Sequence, residues 1–200
     1  MGRQQRRARP VQQERLRVLV VTEGTSTEPQ YVELLQQFLR DSGPATTVKS
    51  VGVGKDPLKV VQACVVHRDQ AKGRDKPFDL CVCLVDVDTH SLLESARVLA
   101  GREGISLLVS NVKFEVWLRW HREESCSALT SRQLDEFAST AGLLDGKSLA
   151  RGFPIERVHE ACVVARRADP DLCAGRVGPD PSSALPVLVD VLSGSTPSTS

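Results

Sequence analysis

Residues 79–90 read Asp-Leu-Cys-Val-Cys-Leu-Val-Asp-Val-Asp-Thr-His, an apolar run that breaks off into Asp86 and Asp88. An uninterrupted apolar run of this length predicts a strand at 79–85 buried on both faces of a sheet. The same form occurs earlier, where 16–22 (LRVLVVT) ends in Glu23-Gly24. Strands of this type belong to parallel sheets, which need crossover connections of a dozen or more residues. The sequence between the runs supplies them. Thr25, Ser26 and Thr27 offer helix caps, and Pro29 suits a first helical turn. Tyr31, Leu34, Leu35 and Phe38 then recur at helical spacing up to Arg40, and Ser42-Gly43-Pro44 stops that helix. A second strand is expected at 46–53 and a helix at 57–70. After the acidic pair, Ser91-Leu-Leu-Glu94 has the form of a capping box. Its helix should run to Ala100 with Gly101 as the stop. A fourth strand at 105–110 leads into Asn111.

Beyond Asn111 the strand–helix rhythm ends, and 114–122, 131–141, 155–167 and 183–192 all have helical patterns. The expected fold class is α/β: a parallel-rich sheet flanked by helices, with a helical C-terminal part. Four segments follow from this: a basic flexible arm at 1–15, the α/β core at 16–122, the helical part at 123–192 and a disordered tail at 193–200. The C-terminal helices are either an interface, which would make a homo-oligomer, or a cover for the sheet.

Composition narrows the function classes. With 40% hydrophobic and 26% charged residues in 200, the chain is of the soluble globular type and large enough for a sizeable core. A net charge of +1 does not announce a nucleic-acid binder. The arm is the exception, with Arg3, Arg6, Arg7, Arg9, Arg15 and Arg17 against Glu14. It reads either as a phosphate contact or as a solvated terminus. The six cysteines show no zinc-type spacing, so reduced thiols and a cytoplasmic location are expected. Cys81 and Cys83 fall on one strand face as small hydrophobes. No run approaches a membrane span, and 4% aromatics argue against base-stacking platforms. Gly52-Val-Gly54-Lys55 lacks the spacer and the Ser/Thr of a P-loop, although Lys55 is placed to face phosphate at the sheet edge.

The acids carry the chemistry. Ligands of open α/β sheets bind beyond the carboxyl ends of the strands, where Glu23 and Asp86 fall. Asp88, two residues on, points the same way along an extended backbone. Three carboxylates so close raise one another's pKa unless a cation neutralises them, and Mg²⁺ takes such hard oxygen ligands. The plainer alternative is a set of loop acids, with Asp88 or Thr89 merely starting the next helix. Asn111, Glu115 and His121 would line the same edge. Against this, Phe114, Trp117, Leu118 and His121 share one helix face, which reads equally as packed core. Glu115 and Arg119 read equally as a helix-surface ion pair.

The layout resembles a Toprim domain, the metal-binding fold of topoisomerases, DnaG-type primases and OLD-family nucleases. The carrying residues are Glu23 after the first strand and Asp86-Val-Asp88 after the third. From 16 to 192 the chain is similar to the RloB-like family, which includes the second component of the AbiL abortive-infection system. Glu23-Gly24 with Thr27-Glu28-Pro29 and Tyr31, the Asp-Val-Asp, and Ser110-Asn-Val-Lys-Phe-Glu-Val-Trp-Leu-Arg-Trp-His121 carry that likeness. It departs at Val112-Lys113, where the family pattern has Pro-Cys, and at GLLDGKSLARGF, which has no tyrosine near Lys147. The resemblance implies a Mg²⁺- or Mn²⁺-dependent nuclease of antiphage defence. Glu23 would be base or metal ligand, and Asp86 and Asp88 metal ligands. Glu28, Asn111, Glu115, His121 and Lys55 would be accessory. It also implies a neighbouring AAA/ABC-type ATPase as partner. A non-catalytic docking subunit of such a complex is the alternative, and a receiver-type signalling domain ranks last.

Overall fold

The computed structural model describes residues 15–54, 56–87 and 92–195. The expectations for Lys55, Asp88, Thr89, His90, Ser91, the arm at 1–14 and the tail at 196–200 lie outside the described residues. The chain runs β1 (Leu16–Thr22), α1 (Thr27–Leu39), β2 (Thr46–Gly52), α2 (Pro57–Lys72), β3 (Leu80–Asp86), α3 (Leu93–Glu103) and β4 (Ser106–Asn111). It continues through α4 (Glu115–Arg119), α5 (Ser131–Thr140), the hairpin β5 (Leu144–Asp145) and β6 (Ser148–Leu149), and a 3₁₀ turn at Ile155–Arg157. It closes with α6 (Val158–Ala168), β7 (Ser182–Ser183) and α7 (Leu185–Ser193). The protein is α/β, with a mostly parallel sheet in the order β2-β1-β3-β4-β7 and helices on both faces.

Strand alternation sends each apolar run into two cores. Val18, Val20, Val82, Leu84 and Leu108 face α1 and the C-terminal helices. Leu19, Val21, Cys81, Cys83, Val85, Leu107 and Val109 face α2 and α3. Cys81 and Cys83 pack there beside Cys64 as small hydrophobes. Fully burying one Val or Leu contributes roughly 1.5–3 kcal/mol, which is why strands buried on both faces hold the register. The C-terminal helices cover the sheet on the β4–β7 side: Ala161, Cys162, Leu185, Leu188 and Leu192 join the core shared with α1.

Several local expectations change. α3 runs past Gly101 and stops at Gly104, whose left-handed φ of +64° and N–H to Ala100 and Gly101 carbonyls close the helix. α4 is five residues rather than nine. The segment at 183–192 begins as β7, an antiparallel edge strand pairing Ser183 with Ser110 and Ser182 with Asn111. Arg119 does not pair with Glu115. Its buried guanidinium bonds Glu123 at 2.5 Å and the Ser127 carbonyl at 2.7 Å.

Candidate functional site

Because β1, β3 and β4 are parallel, their carboxyl ends share one edge of the sheet. The Glu23 N–H donates to the Leu84 carbonyl at 3.1 Å, extending the ladder by one residue. The Asp86 N–H donates to Glu23 Oε2 at 3.3 Å, so the Glu23 carboxylate is held against the end of β3. The chain then turns into α1, where Glu28 Oε1 accepts the Gly24 N–H at 2.9 Å. Its place in the first turn puts a carboxylate at the positive end of the helix. Close packing fixes two residues here. A Cβ on Gly24 would collide with the Glu28 carboxylate, and one on Gly52 would meet the Gly24 carbonyl oxygen and Thr25 Cα at 2.6 Å.

Charges gather at this edge. Burial pushes the Asp86 carboxyl well above the usual carboxylate range, and the charges of Glu28, Glu115 and Glu23 push it further. The Phe114 backbone N–H pulls the other way. Burial also raises Glu28 and Glu115, each opposed by the Lys113 ammonium. Lys113 itself lies in the link from β4 to α4, with Nζ 2.6 Å from Asp135 Oδ1 on α5 and 3.7 Å from Glu115 Oε2. Burial weakens its charge, but Asp135, Glu115 and Asp86 more than compensate and raise its pKa.

The structure therefore brings together Glu23, Glu28, Asp86 and Glu115 from four separate places in the chain. Asn111 ends β4, and its Nδ2 donates to the Gly178 carbonyl at 3.0 Å, tying down the loop before β7. His121 takes the packed-core position. It is 0% exposed, with its ring 5.0 Å from those of Trp117 and Phe153 and 5.5 Å from that of Tyr31. The Trp117 carbonyl 3.1 Å from Nδ1 can only accept, so Nδ1 carries the proton. Nε2 is then the acceptor for the Tyr31 hydroxyl at 3.2 Å. Burial lowers its pKa to about 4.

The donor chemistry of the cluster, carboxylate oxygens alone, fits a hard divalent cation rather than zinc or copper. Among the described residues no three His, Cys, Asp or Glu side chains stand in ligating arrangement. Two contributors are missing from the sequence reading of the site. Lys113 gave a signal only by standing two residues before Glu115. The β5–β6 hairpin sits on the start of α1, where Thr27 Oγ1 donates to the Lys147 carbonyl at 3.0 Å and the Leu149 N–H to Gln30 Oε1 at 2.8 Å. Its Asp145-Gly146 turn, with Gly146 at φ +61°, is a recognisable hairpin signal.

A protein-family model described as RloB-like protein matches residues 18–192. No curated protein and no solved structure matches the chain.

Proposed function

The chain belongs to the RloB-like family, and on that premise we propose that it is a Mg²⁺- or Mn²⁺-dependent nuclease with a Toprim-like core. It would cleave phosphodiesters of DNA or RNA as the effector of an antiphage, abortive-infection type of defence system. The observation that carries this reading is the gathering of Glu23, Glu28, Asp86 and Glu115 at the carboxyl edge of the sheet. Burial and the charges of Glu28, Glu115 and Glu23 all raise the Asp86 carboxyl, so the cluster holds more negative charge at Asp86 than the single nearby ammonium of Lys113 offsets.

In this reading Asp86 and Asp88 hold the cation. Glu23 either shares it or takes the proton of the attacking water, a role worth about 10²–10⁴ in rate. Glu28 is fixed by the Gly24 N–H and orients the edge of the cluster. A bound divalent cation would polarise the phosphoryl oxygen and stabilise charge developing on it. A neighbouring AAA/ABC-type ATPase is the proposed partner and controller. We place the activity in the cytoplasm, in keeping with six unpaired cysteines. Among the described residues no helix is long and apolar enough to cross a membrane.

The test is to incubate wild type and Asp86→Asn with labelled DNA and RNA, with and without Mg²⁺ or Mn²⁺, alone and with the ATPase. Metal-dependent cleavage that the variant loses supports the reading and names the substrate. No cleavage in any combination, with ATPase binding intact, replaces it with the docking-subunit reading.

A further inference from the structure

Lys113 occupies a divided position. Its ammonium bonds Asp135, whose side chain is 57% exposed on α5, yet it stands 3.7 Å from Glu115, which is 15% exposed and faces Asp86 and Glu28. With 21% of the Lys113 side chain exposed, its charge is only partly screened by water. Among the described residues it is the cation that acts on Glu28, Asp86 and Glu115 together. We propose that Lys113 is the chain's own counter-ion to the carboxylate cluster and sets the affinity with which that cluster takes a divalent cation. The inference rests on the metal-dependent reading given above.

In the metal-free protein the ammonium offsets repulsion among the carboxylates. When a dication arrives, the ammonium becomes a like charge nearby and opposes binding, while its bond to Asp135 keeps it beside Glu115. Removing the charge while keeping the stem's bulk must therefore tighten cation binding. A unit charge at this range in a partly exposed site corresponds to about tenfold in Kd.

Mn²⁺ binding, followed by loss of the free-ion electron paramagnetic resonance signal, reads this without turnover. Lys113→Met is expected to bind Mn²⁺ about tenfold more tightly than wild type, and Lys113→Arg, which keeps the charge, to match wild type. Metal-free Lys113→Met should also melt at a lower temperature and recover more on adding Mn²⁺. Equal or weaker Mn²⁺ binding by a natively folded Lys113→Met overturns the inference. If in that case Asp86→Asn abolishes binding seen in wild type, the metal site stands and only the role of Lys113 falls. No Mn²⁺ binding by wild type overturns both.

Discussion

His121 lies fully inside the core between Tyr31, Trp117 and Phe153, and its burial makes the fold acid-sensitive in a way that can be isolated. Its pKa falls from 6.5 to about 4 on folding. Between those values the unfolded chain binds a proton that the native state refuses. The contribution is therefore intact above pH 6.5 and is lost as pH falls toward 4. A depression of that size amounts to about 2 kcal/mol at pH 5 and about 3 kcal/mol at the acid limit. Asp86, Glu28 and Glu115 work in the opposite direction. Their raised pKa values leave the native state holding protons the unfolded chain has released, which adds stability as pH falls. A pH series on wild type alone would mix the two. Comparing urea unfolding of wild type and His121→Gln at pH 7.5 and pH 5 separates them, because only the histidine differs. The variant should cost about 1–3 kcal/mol at pH 7.5, from the lost Tyr31 and Trp117 hydrogen bonds. That gap should shrink by about 2 kcal/mol at pH 5. A gap that stays constant would refute the buried neutral imidazole.

The other perturbations probe the edge and its supports. Asp86→Asn should raise the melting temperature of the metal-free protein by about 2–4 °C, the equivalent of about 1 kcal/mol from relieved repulsion. It should also lose any Mn²⁺-induced rise, which scanning fluorimetry in EDTA and in Mn²⁺ would show. Gly52→Ala drives a Cβ into backbone atoms of the β1–α1 loop and should cost about 1–3 kcal/mol in a urea titration. Gly101→Ala, inside α3 with nothing within 4 Å of the added carbon, should instead gain about 0.5–1 kcal/mol. Arg119→Met removes the buried guanidinium that bonds the partly exposed Glu123 and the exposed Ser127. It should cost about 1 kcal/mol by the same method, from the lost charged hydrogen bonds, since Glu123 and Ser127 regain water.

The sheet was legible because β1, β3 and β4 are buried on both faces, and such strands announce themselves as unbroken apolar runs. Local signals failed where tertiary contacts decide. The sequence pattern places the end of α3 at Gly101, whereas the left-handed turn that leads into β4 forms at Gly104. Ser182-Ser183 carries no strand signal at all, since β7 exists through its pairing with Ser110 and Asn111. At the site, Glu23 and Asp86 could be read because each ends a strand. Glu28 and Glu115 came by resemblance or helix position, and the sequence offered no means of bringing Lys113 and Asp135 together across 22 residues. For His121, periodicity alone supported both core and edge, and only the short length of α4 and the facing Tyr31 decide for the core.

The packing of α7 on β4 and α1 bears on how the protein is made. Leu108 of β4 shares a core with Leu185, Leu188 and Leu192 of α7, residues made well after it. Helix α7 also packs on α1, the element that carries Glu28. A nascent or prematurely stopped chain lacking α7 would leave Leu108 of β4 and the facing side of α1 without that cover, a state that invites chaperones and proteases. For a protein proposed to cut nucleic acid, such a core would tie stable folding of α1, and with it the placing of Glu28, to the synthesis of α7.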